Sequence, residues 1–449
     1  MTAQKRIRVA IIAIIGLLVS SCDTTPSYEE NWANEDEYSS YLKKNIDNYN
    51  VSTRVALDEE LATIPISTKS EEIQRYREGV WDLWKGAMKD EMTRLGFAPE
   101  PTNDKEVIID IPQDQRLKMR FLTKGERPES GYPLFINLHG GGQDPTVMGP
   151  WGSLMNEREW QAALTLGARY EDAPSLYVVP RMADDRIGRW YLLPQREAYY
   201  RLTRAAMASE LVDPHRLYLI GISEGGYGTH RMSFFMPDAF TAFGPMAAAE
   251  PMADYIMNLR NATLRMEVGE NDTAYDRNIN AVAWKEALEA QQAENPGLFR
   301  GMVIIQEGRG HGINYFDVAP WVAQQTERVT YPDHITYEFH NLEGFPLRLY
   351  YLDLFDLTFP EIQARPVLEV KHEGNRYDIQ LTGENTPVGT LRLYLDEHQV
   401  DLSRPITVTL NGEVKHQEKV QPTMGALLES MTCFGDPLRI FPAYIDLAL

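Results

Sequence analysis

Short apolar runs bounded by turn residues, with helical stretches between the later ones, set the rhythm of most of this chain. EVIIDIP (106–112), RLKMRFL (116–122), PLFINL (133–138), SLYVVP (175–180), RLYLI (216–220), AFGPMAA (242–248), LRMEV (264–268) and MVIIQE (302–307) predict strands. Stretches 195–211, 225–236 and 277–293 carry the helical period. The first two strands predict an antiparallel hairpin. The later ones predict a mostly parallel sheet flanked by helices and joined by right-handed crossovers, an α/β fold class. Ligands of such a sheet sit beyond the carboxyl ends of its strands.

The flanks follow other patterns. TKSE offers a capping box from Thr68 to Glu71, after which Ile73, Tyr76, Val80, Trp84, Met88 and Leu95 recur at helical spacing up to Gly96. This predicts an N-terminal helical segment over 67–100, ahead of a catalytic domain over 101–343. Beyond Gly344, LRLYYLDLF, VLEVKH, RYDIQL, TLRLYL, ITVTL and EVKHQEKV read as short strands, and Asn411–Gly412 is a hairpin turn pair. They predict a small β-sandwich over 344–449, whose default role is packing.

At the start, Lys5, Arg6 and Arg8 precede an apolar run from Val9 to Val19 that is too short to span a membrane. LVSSC then resembles a bacterial lipoprotein box. It implies a signal peptide over 1–21, lipid on Cys22, and an exported protein anchored to a bacterial membrane, with the outer membrane favoured. The acidic, aperiodic stretch over 22–66 reads as a tether. The second cysteine, Cys433, then has no partner for a disulfide and reads as a buried apolar residue. A formal net charge of -21 repels phosphate backbones and excludes nucleic acid as a partner.

Chemistry concentrates where strands end. In YLIGISEGGYG, Gly221, Ser223 and Gly225 form G-x-S-x-G between a strand and a helix, the setting in which a serine is held on a tight, exposed turn. Serine needs a base, an orienting acid and donors for the oxyanion. GENDTAYD follows one strand and offers Asp272, with Glu270 and Asp276 as alternatives on the same loop; GRGHG follows the next and offers His311. HGGG, after PLFINL, places bare backbone beside the serine, so the N–H of Gly140 or Gly141 joins that of Glu224 as an oxyanion donor. His139 fixes this loop by hydrogen bonding and lacks a second ligand at metal spacing. Aromatic residues gather on the same face: Trp151, Trp190, Tyr191, Tyr227, Tyr275, Tyr315 and Phe316. Of these, Trp151, Trp190, Tyr227 and Tyr315 are the candidates to stack on a sugar or a phenolic acyl group.

PLFINLHGGGQ, then VDPHRLYLIGISEGGYGTHRMSFFMPDAFTAFGPMA, GEND and GRGHG together resemble the esterases related to polyhydroxybutyrate depolymerases, feruloyl esterases and acetyl xylan esterases, within the α/β-hydrolase superfamily. The resemblance covers about residues 106–330. It implies nucleophile Ser223, acid Asp272, base His311, oxyanion donors near Gly140 and Glu224, no cofactor or metal, and an ester substrate of the polysaccharide-linked kind. Glu224 stands where relatives often carry methionine, and GINYFDVAPW follows His311 in place of the stretch usual in relatives. Two other readings stay open: a prolyl-oligopeptidase-like peptidase with the same residues, and a non-catalytic glycan-binding lipoprotein.

Overall fold

The computed structural model describes residues 27–47, 54–103 and 105–449. Cys22 and the signal segment over 1–21 lie outside the described residues. Among those described, no helix is long and apolar enough to cross a membrane.

The stretch read as a tether is in part ordered. Helix α1 (Tyr28–Asn31) carries a capping box in which Ser27 and Glu30 satisfy each other's backbone N–H groups, and α2 (Glu35–Asp47) follows it. Tyr38, Tyr41 and Leu42 are buried. Three apolar residues at i, i+3 and i+4 are enough to dock the helix, although acidic neighbours hide the pattern in the sequence. After α3 (Glu59–Ala62) comes α4 (Ser70–Ala87), which buries Ile73, Tyr76, Val80 and Trp84. Its cap is not the expected box: Lys69 takes the cap position, and the Ser67 hydroxyl accepts the Lys69 N–H at 3.1 Å. A short α5 (Lys89–Arg94) completes the segment.

The main sheet has eight strands: β1 (Glu106–Ile111), β2 (Gln115–Lys124), β3 (Tyr132–Leu138), β4 (Ser175–Arg181), β5 (Val212–Ile222), β6 (Ala242–Met246), β7 (Thr263–Gly269) and β8 (Arg300–Gln306). Their spatial order is β1-β2-β4-β3-β5-β6-β7-β8. The pairs β1–β2 and β2–β4 are antiparallel and the rest parallel, as the strand and helix rhythm predicts. Along β3, Leu134, Ile136 and Leu138 enter one core and Phe135 the other, so both faces need cover. Helices α7 (Leu193–Ala208), α8 (Glu224–Phe235) and α9 (Arg277–Glu294) feed the first core. α6 (Leu154–Arg169) and α10 (Val318–Val322) feed the second.

Two further sheets enclose a separate apolar core, the expected antiparallel-rich C-terminal unit. One runs β17-β16-β14-β13-β9 and the other β10-β11-β15-β12, with β18 (Ala443–Ala448) on β15. Their members are β9 (His334–Glu338), β10 (Arg348–Leu349), β11 (Leu352–Asp353), β12 (Leu357–Thr358), β13 (Val367–Glu373), β14 (Arg376–Thr382), β15 (Val388–Leu395), β16 (Ile406–Leu410) and β17 (Glu413–Glu418). The unit begins at β9, ahead of the boundary expected at 344, because β9 pairs with β13. It also contains a helix, α11 (Met424–Phe434), capped by Thr423 and packed on α4.

Candidate active site

Ser223 ends β5 and precedes α8 with φ 56° and ψ −113°, a strained conformation for a residue with a side chain. The neighbouring glycines make that turn possible. A Cβ on Gly221 would collide with the Gly225 carbonyl, and one on Gly225 with the Leu138 carbonyl; one on Gly226 would lie 2.5 Å from the Met246 oxygen. The backbone is pressed against β3 and β6, and the serine is the residue left projecting.

His311 Nε2 lies 2.9 Å from Ser223 Oγ, and His311 Nδ1 lies 2.7 Å from Asp272 Oδ2. An ionised carboxylate only accepts, so Nδ1 carries the proton and Nε2 faces the serine with its lone pair free. Of the three carboxylates on the acid loop, the fold brings Asp272 to the imidazole. Asp272 is buried and its second oxygen accepts from Arg277 at 3.0 Å. Glu270 instead accepts the Gly308 N–H at 2.8 Å, and Asp276 is an exposed residue with φ 55°. The loops after β7 and β8 are zipped together: Asn271 N–H donates to the Arg309 carbonyl at 2.7 Å. These three residues at the ends of β5, β7 and β8 give the sheet the α/β-hydrolase arrangement.

The glycine loop after β3 closes the other side. A Cβ on Gly140 would lie 3.4 Å from Ser223 Cβ, so this backbone is next to the hydroxyl. Glu224 is the first residue of α8, where the helix leaves its N–H without an intrahelical partner. Both expected donor positions therefore border Ser223. His139 is fully buried; its Nε2 accepts the Met182 N–H at 3.0 Å, and its Nδ1 lies 2.5 Å from the Gly140 carbonyl. Burial, aided by Arg181, holds its pKa down to about 3, so the ring is neutral and works as a loop clamp.

A second clamp was not legible in the sequence. Asn156, on the first turn of α6, accepts the Gly142 N–H at 2.9 Å and donates to the Gly142 carbonyl at 2.8 Å. It also donates to Asp185 at 2.7 Å, which is itself held by Arg181 at 2.6 Å. No motif marks Asn156, Asp185 or Arg277; the Gly142 and Asp185 partners of Asn156 come from other loops.

The aromatic candidates divide. Tyr227 lines the cleft, as do Tyr191 and Tyr275. Trp190 does not: it is wholly buried, and its indole N–H donates to the His139 carbonyl at 2.9 Å. Trp151 sits away from the cleft beneath Arg116 and Lys118, about 5 Å from each. Tyr315 donates to the His311 carbonyl at 2.9 Å and supports the base from behind. A tryptophan in a loop reads the same whether it turns to the core or to a ligand, and the aromatic count mixed both.

The cleft holds about 680 Å³. Its cations and acids come in pairs: Arg189 with Glu224 at 3.0 Å, Arg231 with Glu250 at 2.5 Å, and Arg277 with Asp272. Burial pushes the Glu224 carboxyl above its usual range, with Arg189 opposing and Glu250 adding to the rise. A larger hollow of about 950 Å³, lined in part by Phe345 and Phe359, lies by the C-terminal unit and contains none of the reacting groups.

No protein-family model and no curated protein matches the chain. Among solved structures it is similar to a thermostable esterase, over 49% of this chain and 58% of that one, at 18% identity and TM-score 0.36. A ferulic acid esterase is similar over 49% of this chain and 97% of its own, at 17% identity and TM-score 0.37. The poly(3-hydroxybutyrate) depolymerase of Bordetella parapertussis is similar over 49% and 89%, at 16% identity and TM-score 0.38.

Proposed function

We propose that this protein is a serine hydrolase that cleaves carboxylic esters, specifically acyl esters such as acetyl or feruloyl groups on polysaccharides. The observation that carries the reading is the continuous row Asp272, His311, Ser223, ending at a strained serine that faces a glycine loop.

In the reaction, His311 Nε2 takes the hydroxyl proton while Ser223 Oγ bonds to the ester carbonyl carbon. The carbonyl π electrons move to oxygen, and that oxyanion accepts hydrogen bonds from Glu224 N–H and from Gly140 or Gly141 N–H. As the C=O re-forms, the alkoxy bond breaks and the leaving alcohol takes the proton back from Nε2. Water then repeats the sequence on the acyl-enzyme, releasing the acid and restoring Ser223. Asp272 keeps the imidazole in the required tautomer throughout.

The reading includes export and lipid on Cys22, which holds the cleft near extracellular or periplasmic polymers. Incorporation of labelled fatty acid that is lost in Cys22→Ser tests that part. The activity is tested with p-nitrophenyl acetate, feruloyl esters, acetylated xylan and peptide amides, using wild type and Ser223→Ala. Ester turnover that falls by roughly 10⁴-fold or more in the variant is expected. Turnover of amides alone would move the protein to the peptidases.

A further inference from the structure

We propose that two apolar lips beside the cleft seat this protein on a neutral polymer carrying many acyl esters, so that the acyl groups next to the one being cleaved lie against them. The proposal rests on the ester-hydrolase reading of the cleft.

Thirteen large hydrophobic side chains are exposed among the described residues, and seven of them lie in three chain segments, 148–155, 187 and 275–282, two of which contribute a cleft-lining residue, Met155 and Tyr275. On the side of the glycine loop, Met148 is 94% exposed and Leu154 75%, with Ile187 and Met155 beside them. These positions are drawn together by the fold. The Asp144 N–H donates to the Asp185 carbonyl at 2.7 Å, joining the two loops, and Met155 is itself part of the cleft lining. On the side of the acid loop, Tyr275 is 80% exposed and lines the cleft, and Ile279 is 63% exposed. Val282 follows Ile279 by one helical step on the solvent side of α9, whose opposite face buries Ala281, Trp284 and Leu288.

Neither lip is core that failed to close, since each belongs to a helix or loop whose inward face is already buried. Exposed apolar side chains concentrated at the mouth of one cleft mark a contact surface. Charge selects the occupant. The chain carries 65 acidic against 44 basic residues, which disfavours anionic bilayers and polyuronates. Inside the cleft the three arginines are each paired with a carboxylate, so no ionic group draws a charged substrate inward. A neutral polymer bearing repeated acyl groups supplies apolar contacts at the lips and an ester at Ser223.

The test combines Met148→Ser, Leu154→Ser and Ile279→Ser, leaving the cleft-lining Met155 and Tyr275 in place. Thermal melting checks that the triple variant folds. Hydrolysis of soluble p-nitrophenyl acetate is expected to stay within about twofold, while kcat/KM on acetylated xylan falls about tenfold, mostly through KM. Losses equal on the two substrates, or absent on both, overturn the proposal. Separately, Ser223→Ala protein is passed over immobilised acetylated xylan and over the same polymer after alkaline deacetylation. Retention on the acetylated polymer alone, abolished by the triple substitution, supports the lips even if wild type hydrolyses no ester, in which case only the activity reading fails. Equal retention on both polymers overturns the lips. So does a triple variant that loses binding to neutral phosphatidylcholine vesicles while its binding to acetylated xylan is unchanged.

Discussion

The carboxyl ends of the eight-stranded sheet and the hairpin of the C-terminal sheets both turn on a Gly or on a positive φ, and they differ in what surrounds that turn. At the elbow, Ser223 has φ 56° with backbone from β3 and β6 pressed against its glycine neighbours. At the β16–β17 hairpin, Asn411 and Gly412 also have positive φ, but a Cβ on Gly412 would meet nothing within 4 Å. Backbone conformation is shared; crowding is not. One turn is packed tight by backbone from its neighbours; the other is an Asn-Gly hairpin turn whose Asn411 accepts the Leu381 N–H at 2.9 Å but whose glycine is open.

The contrast is broken most strongly at the nucleophile. Ser223→Ala is expected to abolish ester turnover while leaving the melting temperature near wild type, whereas no single change at the hairpin touches turnover. Gly225→Ala comes next: its Cβ collides with the Leu138 carbonyl, so activity is expected to fall by roughly 100-fold or more, with about 1–3 kcal/mol lost in urea unfolding. Asn156→Ala releases Gly142 and leaves Asp185 short of a donor. A kcat reduced by about 10-fold, with KM little changed and about 1–3 kcal/mol of stability lost, is the expected result. Gly412→Ala should cost only about 1–2 kcal/mol from its φ of 82° and leave kcat unchanged.

A pH titration sharpens the same comparison. His139 and His230, both in the half built on the eight-stranded sheet, are buried and held at a pKa of about 3 by burial and a nearby arginine. Unfolded, each titrates near its ordinary value of 6.5, so the unfolded chain binds more protons below that pH. Stability from these rings is complete above about pH 6.5 and falls as pH drops toward 3, by up to about 1.4 kcal/mol per pH unit for each. In the C-terminal unit the rings are mixed: burial lowers His334 and holds His340 at about 4, whereas the hydrogen bond to Asp396 raises His398. Urea unfolding followed at pH 7 and pH 5 should show the half built on the eight-stranded sheet losing more; equal losses in His230→Asn and wild type would contradict this assignment.

The contrast also explains what the sequence disclosed. The strands and the fold class were legible because β3, β4 and β5 are apolar runs separated by helical periods, whereas their spatial order was not. The positions of Ser223, Asp272 and His311 after three different strands were readable from spacing; why Asp272 and not Glu270 meets the imidazole was not, since it depends on how the loops after β7 and β8 lock together. Trp190 and Trp151 were assigned to a ligand surface because a loop tryptophan has no period to reveal its direction. The acidic stretch around α2 was read as a tether because the docking face is only Tyr38, Tyr41 and Leu42 among many charges.

One tie between distant parts of the chain bears on how the protein is made. Arg77 of α4 donates to the Ile440 carbonyl at 2.7 Å and to Asp396 and Glu397 at 2.6 Å, while the Ile66 N–H reaches the Pro422 carbonyl at 2.9 Å. Helices that emerge early in synthesis therefore complete their packing only when the last hundred residues have appeared, although α4 meets α2 before then. Until then the side of α4 that α11 covers stays open, so a nascent chain stalled before residue 440 should be the form that chaperones hold and proteases remove.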